Sequence, residues 1–154
     1  MNTTTPPAAQ PLAGVIVIEF CNVAAGPFCG MLLADLGADV VKVESHQGDA
    51  LRQWPPMTQG FSENFASLNR NKRSIALNLK DAADAEVARR LIHSADVVIE
   101  NNRPGVMARL GLGYADFADA RPDLIYCSMS ALVNTARAPS KAALMSPSKA
   151  SRAS

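Results

Sequence analysis

The stretch Gly26-Pro-Phe-Cys-Gly-Met-Leu-Leu-Ala-Asp-Leu-Gly-Ala-Asp-Val-Val-Lys-Val-Glu44 reads as a helix opened by a Gly-Pro step, closed by a glycine and followed by a strand that ends in a carboxylate. Proline suits the first helical position, because its fixed φ is helical and its missing N–H would be unpaired there. Phe28, Leu32 and Leu36 recur every fourth residue and predict an apolar stripe turned to a core. Gly37 stands where a helix needs a left-handed C-terminal residue. Upstream, Gly14-Val-Ile-Val-Ile-Glu-Phe20 is a short apolar run of the buried, parallel-sheet kind. Strand, turn, helix, glycine and strand make a βαβ unit, and such a unit presents the helix N-terminus at the strand ends where ligands bind.

Working outward, 154 residues hold one domain with a sizeable core. Fifteen basic and fourteen acidic residues leave a net charge of +1, which argues against a nucleic-acid surface while leaving room for one phosphate site. No apolar run approaches the roughly 18 residues of a membrane span. Residues 1–11 form a polar, Thr- and Pro-containing leader with no basic n-region and no apolar h-region, as expected of a cytoplasmic protein. Cys21, Cys29 and Cys127 lack metal-ligand spacing and read as reduced, mostly buried thiols.

Past Glu44 the pattern breaks. Residues 45–61 carry Gly48, Pro55, Pro56 and Gly60 without periodicity, long enough to suggest a functional loop that Trp54 packs down. A helical turn over 62–68 leads to Asn69-Arg-Asn-Lys-Arg-Ser74, and 74–78 alternate as a strand. Residues 81–94 give the clearest helix, capped by Asp81, with Ala83, Val87 and Leu91 as its apolar row and Arg89, Arg90 and His93 suited to the dipole of its last turns. A buried strand over 96–100, a helix over 106–110 opened by Pro104, a short helix over 114–120 and a strand over 124–128 complete an alternating pattern. That alternation predicts an α/β fold around a parallel sheet.

Three segments fall at the strand ends. Cys21-Asn-Val-Ala-Ala-Gly26 is a small-residue turn open to close approach. Asn71-Lys-Arg-Ser74 with Leu77 to Lys80 offers cations and a strand edge, and Asn101-Asn-Arg-Pro-Gly105 brings amides and a guanidinium to a helix start. With no glycine-rich dinucleotide fingerprint, phosphate loop, nucleophile–base ordering or metal cluster, the residues alone give a nucleotide-type half-site without a visible catalyst and without a metal.

Order and spacing add a resemblance. The stretches 11–20, 25–44, Gly48-Asp49 with Arg52, 69–80, 95–114 and 121–128 together resemble the class III CoA-transferases, the family of formyl-CoA transferase, carnitine CoA-transferase and α-methylacyl-CoA racemase. The resemblance covers 12–130 and implies a Rossmann-like parallel sheet flanked by helices, the N-terminal part of a CoA-binding large domain. It implies coenzyme A or an acyl-CoA as substrate, with no prosthetic group, and a small carboxylic acid as the second partner. By the same resemblance, CoA contacts fall on Val23, Ala24, Ala25, Leu77, Asn78, Leu79, Lys80, Asn101, Asn102, Arg103 and Arg109. Two positions depart from the family pattern: Asn102 stands where an aromatic is usual, and Ala24 where some transferases have glutamine.

Family members are longer and form interlocked homodimers. Their catalytic aspartate, which forms an acyl anhydride and then a CoA thioester, has no counterpart here, since no acidic residue follows Asp123. No catalytic residue is therefore assigned, and the chain alone is expected to perform no transfer. The alternatives are the racemase branch, which moves an α-proton, and a non-catalytic CoA-binding fragment.

From 131 onward Ala, Ser, Lys and Pro dominate, as expected of an unstructured, non-family tail. Yet Val-Asn-Thr-Ala-Arg-Ala-Pro-Ser-Lys-Ala-Ala-Leu-Met over 133–145 admits codons that, read one base earlier, give Gly-Gln-His-Gly-Pro-Arg-Pro-Val-Glu-Gly-Gly-Phe-Asp. Transferases of the family carry Gly-Gln-x-Gly-Pro and Gly-Gly-Phe/Tyr-Asp at that place, and the racemases Gly-His-Asp. The expectation is a frameshift near Ala131 or Leu132 in a longer transferase gene.

Overall fold

The computed structural model describes residues 10–130; residues 1–9 of the leader, and the tail from 131 with its frame reading, lie outside the described residues. The chain runs β1 (Ile16–Phe20), α1 (Ala25–Asp35), β2 (Asp39–Glu44), a 3₁₀ turn (Ala50–Gln53), β3 (Met57–Thr58), β4 (Phe61–Ser62) and α2 (Glu63–Asn69). It continues through β5 (Lys72–Ala76), α3 (Ala82–Ser94), β6 (Val97–Glu100), α4 (Val106–Arg109), a 3₁₀ turn (Tyr114–Asp116) and β7 (Ile125–Ser128). Five strands form one sheet in the order β5-β2-β1-β6-β7, every pair parallel, while β3 and β4 make a small hairpin. The chain starts in the middle, moves to one edge and returns to the other side of β1. The strand order therefore reverses between β1 and β6, and the crevice beyond their C-terminal ends is the place where such sheets bind ligands.

Alternation along the strands divides the core in two. Ile18, Phe20, Val41, Val43 and Val98 meet Ala88 and Ile92 of α3, with Met107, Leu112 and Phe117 closing that face. Val17, Cys21, Val40 and Ile99 meet Ala34 on the opposite face. Asp81 caps α3, its side chain accepting the Ala83 and Asp84 N–H groups. The buried side of α3 is Ala85, Ala88 and Ile92, while Val87 and Leu91 lie half-buried at its flank and Ala83 is exposed. The predicted helix over 114–120 reduces to the 3₁₀ turn, and α4 is a single turn whose N-cap is the left-handed Gly105 rather than a helix opened by Pro104.

Helix α1 corrects the first expectation. It begins at Ala25, so Pro27 is its third residue, and Gly37 ends it at φ +103° with its N–H on the Ala34 carbonyl. Phe28, Leu32 and Leu36, the predicted core stripe, are 45–49% exposed. The face turned to the sheet is Gly26, Pro27, Gly30, Met31 and Ala34. Small residues four apart occupy that face because the helix lies against charged side chains that stand up from the strands. A Cβ on Gly30 would sit 2.0 Å from Glu19 Oε2, so only glycine fits.

Those charges form a closed buried network. The Lys42 ammonium, 1% exposed, donates to Glu19 Oε1 at 3.1 Å and the Cys21 carbonyl at 2.5 Å, and it pairs with Asp49 Oδ2 at 3.0 Å. The Lys72 ammonium pairs with Glu19 Oε2 at 2.8 Å and donates to the Pro27 carbonyl at 2.8 Å and Asn69 Oδ1 at 3.0 Å. Each ammonium has three donors and meets three oxygens. Two cations face two carboxylates, so no net charge is buried. The network joins β1, β2, β5, the first turn of α1 and the end of α2. Burial lowers the Lys72 pKa, and the Glu19 carboxylate opposes that fall.

At the end of β2 a second cluster fixes the loop that follows. Glu44 accepts from Arg52 Nε at 2.8 Å, Arg52 Nη2 at 2.6 Å, Ser74 Oγ at 2.5 Å and the Asp49 N–H at 2.9 Å. Burial works against its charged form, but the bonds from Arg52, Ser74 and Asp49 outweigh it and bring the carboxyl from 4.5 down to about 2. Arg52 also lies 3.8 Å above the Phe65 ring, tying the loop to α2. Trp54 does not plug the loop, being 48% exposed.

Two outcomes follow from these contacts. Gly30→Ala must displace the Glu19 carboxylate from Lys72, so we expect about 3 kcal/mol or more of lost stability, since breaking a buried pair costs that much. Urea denaturation reads this directly, and an unchanged midpoint would contradict it. Glu44 has a folded pKa below its unfolded one, so its contribution is complete above pH 4.5 and disappears as pH falls toward 2. Glu44→Gln should flatten the stability–pH slope in that window relative to the parent chain; parallel slopes would show that other carboxyls carry it.

Candidate functional site

At the reversal point the side chain of Asn101 binds the backbone of Asn22. Asn101 Oδ1 accepts the Asn22 N–H at 2.9 Å, and Asn101 Nδ2 donates to the Asn22 carbonyl at 2.9 Å. One side-chain amide thus joins the turns after β1 and β6, and its hydrogen-bonding groups are committed there. Asn102 anchors the same junction, its Nδ2 donating to the Phe20 carbonyl at 3.1 Å and its N–H to Glu100 Oε2 at 2.8 Å. The amide therefore does work at this position that the usual aromatic could not.

The turn from β1 to α1 is held in an unusual conformation. Val23 has φ +67°, a left-handed value that a β-branched residue rarely adopts and that costs about 1–3 kcal/mol. Its N–H points between both Asp49 carboxylate oxygens at 3.1 Å. A hydrogen bond to a buried charge contributes about 1.5–3 kcal/mol, enough to offset the strain. Ala24 and Ala25 follow, exposed at the start of α1.

Beyond the strand ends on the α3 side lies a cavity of about 560 Å³. Its walls are Phe20, Asn22, Val43 to Gln47, Leu77 to Lys80, Asn102, Val106, Arg109 and Leu110. The lining is graded: Phe20, Val43, Leu77, Leu79, Val106 and Leu110 are apolar, and Lys80 and Arg109 are cations that make no ion pair among the described residues. His46, 61% exposed, stands 3.7 Å from the Asp84 carboxylate at the rim. An apolar slot flanked by free cations suits an organic group that carries phosphates.

Of the predicted contacts, Leu77, Asn78, Leu79, Lys80, Asn102 and Arg109 line this cavity. Val23, Ala24, Ala25 and Asn101 form the adjoining junction, and Arg103 is exposed beside it. The predicted cationic segment is corrected. Lys72 is buried on Glu19, while Arg73 pairs with Asp39 at 2.5 Å and Arg70 with Asp35 at 2.6 Å on the surface, and none of the three lines the cavity. Reading the sequence missed Ser45, His46 and Gln47; their position immediately after the carboxylate that ends β2 was the available signal. Among the described residues no group of His, Cys, Asp and Glu could hold a metal ion. The three cysteines are free, and burial followed by the Glu19 charge pushes the Cys21 thiol far up, which makes it a poor nucleophile. No described helix is long and apolar enough to cross a membrane.

Comparison with known proteins gives the family. The CoA-transferase family III profile matches residues 12–144. Succinyl-CoA:glutarate CoA-transferase of Mus musculus is 45% identical over 123 residues, 79% of this chain and 28% of the mouse protein. Acetyl-CoA:oxalate CoA-transferase of Acetobacter aceti is 42% identical over 137 residues, 88% of this chain and 35% of the bacterial protein. The crystal structure of a CAIB/BAIF family protein from Brucella suis superposes with a TM-score of 0.73 at 44% identity, over 77% of this chain and 33% of that one. The chain thus spans about a third of the length of the relatives it matches. With the profile over most of its length and the same parallel sheet, the chain belongs to CoA-transferase family III.

Proposed function

We propose that this chain holds coenzyme A in the cavity at the strand ends, as the CoA-binding part of an enzyme that moves CoA between an acyl thioester and a free carboxylic acid. The observation that carries the reading is the pairing of an apolar slot with the free cations of Lys80 and Arg109. The ammonium and guanidinium meet the ligand's phosphates, and Leu77 and Leu79 flank the adenine. The junction at Val23 to Ala25 and Asn101 to Arg103 faces the thioester end. The relatives' names, which describe transfer between succinyl-CoA and glutarate or acetyl-CoA and oxalate, support a carboxylic acid as second partner. The transferase reading stands ahead of the racemase one for that reason.

Transfer through an acyl anhydride needs a carboxylate free to attack. Of the buried carboxylates among the described residues, Glu19, Asp49 and Glu44 are engaged by cations, and Glu100 accepts the Asn102 N–H. In our reading the attacking carboxylate belongs to another part of the full-length enzyme, which also builds a homodimer. A change of reading frame near Ala131 would separate the two parts, and sequencing the locus downstream checks it.

Isothermal titration with CoA and with acetyl-CoA tests the reading. Binding is expected, with Lys80→Ala and Arg109→Ala each weakening it about three- to tenfold and flattening its salt dependence. No heat at millimolar ligand, or equal affinity in both variants, rejects the site. The chain alone should show no CoA transfer between acetyl-CoA and a dicarboxylate; turnover above a blank would reject the missing-carboxylate argument.

A further inference from the structure

Asp49 lies outside the cavity and outside every ligand contact assigned above, yet its position is over-determined. It is 1% exposed, its Oδ2 is 3.0 Å from Lys42 Nζ, its Oδ1 accepts the Leu51 N–H at 2.9 Å, and its own N–H is held by Glu44. A carboxylate fixed from three directions is a rigid acceptor. What it presents to the rest of the molecule is a pair of oxygens, both 3.1 Å from the Val23 N–H.

Val23 is where that rigidity is used. The residue is neither glycine nor asparagine, so nothing intrinsic holds it at φ +67°. Relaxing to a negative φ would swing its N–H off Asp49 and change the direction in which the chain enters α1. The turn it shapes carries the exposed Ala24 and Ala25, and its neighbour Asn22 lines the cavity. Strain that persists in one exposed turn, opposed by a buried charge reaching in from another loop, is the pattern of a pre-set ligand contact.

We infer that Asp49 is a positioning residue for the acyl-CoA: anchored by Lys42, it clamps the Val23 N–H and keeps the turn over 22–25 in the left-handed form that the thioester end of the ligand meets. This rests on the CoA reading above. The role is distinct from that of the cavity cations, since Asp49 touches no ligand. It also assigns a purpose to the Gly48-Asp49 pair. Gly48, at φ +77°, turns the loop so that Asp49 reaches back under β1.

Four forms of the full chain test it by titration with CoA and acetyl-CoA: the parent, Asp49→Asn, Asp49→Asn with Val23→Gly, and Val23→Pro. Proline holds φ near −65° and has no N–H, so it abolishes the clamp without touching the buried charges. Val23→Pro and Asp49→Asn should each weaken acetyl-CoA about tenfold or more, and Val23→Gly should recover at least about threefold of the Asp49→Asn loss, because glycine reaches positive φ without a Cβ penalty. Affinities within about twofold of the parent in both single variants, or no recovery in the double one, would overturn the inference while leaving the CoA reading intact. A parent chain that binds neither ligand overturns the CoA reading and the ligand role of Asp49 with it. Where Asp49→Asn fails to fold, Val23→Pro decides. Amide hydrogen exchange on the free protein gives a ligand-independent readout: the Val23 amide should be protected in the parent and exposed in Asp49→Ala, which leaves no acceptor, and equal exchange would show that no clamp exists.

Discussion

The ammonium of Lys42 is the point on which the structure turns. A lysine in the middle of a parallel sheet is excluded by hydropathy and costs several kcal/mol of desolvation unless its charge and all three donors are met. Here Glu19, Asp49 and the Cys21 carbonyl meet them. Each acceptor comes from a different piece of chain: the strand beside it, the loop after its own strand, and the turn that leads into α1. Satisfying one buried cation therefore fixes the relative placement of all three. Replacing the network by apolar side chains of equal volume need not reduce stability. What it would remove is the definition of the turn and the loop, so the polar core here specifies geometry.

The same requirement explains the shape of α1. Where the helix crosses the Glu19 carboxylate no Cβ fits, so Gly30 stands there, with Gly26, Pro27, Met31 and Ala34 on the same buried face and Phe28, Leu32 and Leu36 outward. An apolar stripe on a helix has two possible destinations, its own core or another surface, and the sequence pattern does not distinguish them. Glycines at positions 26 and 30 carried the missing information. In a helix they are costly, and a costly residue repeated one turn apart marks a close approach.

Much of the fold was legible in the residues. The limits of β2, the left-handed Gly37, the Asp81 cap and the alternation of strands and helices follow from local rules, and local rules are where sequence reading is strong. The site was legible in part. Leu77 to Lys80, Asn102 and Arg109 converge on one cavity because the parallel sheet puts the ends of β5 and β6 on one edge. What could not be read was which cations stay free. Lys72 and Lys80 sit eight positions apart and look alike in the sequence, and only tertiary pairing with Glu19 removes the first from the ligand's reach.

That division follows from where along the sheet each charge stands. Lys42, Lys72 and Glu19 lie on the α1 face, between helix and strands, where a cation must be neutralised by the protein itself because water cannot reach it. Lys80 and Arg109 stand at the rim of the α3-side cavity, where solvent screens them until a ligand arrives and where no desolvation has to be offset in advance. A buried charge thus becomes part of the scaffold and an unburied one remains available for binding. Asp49 and Val23 mark the boundary between the two regimes: the carboxylate belongs to the buried set and the N–H it accepts belongs to the exposed turn. Through that contact, and the bond from Lys42 to the Cys21 carbonyl, the rigidity of the ionic core is passed to the exposed turn that opens α1.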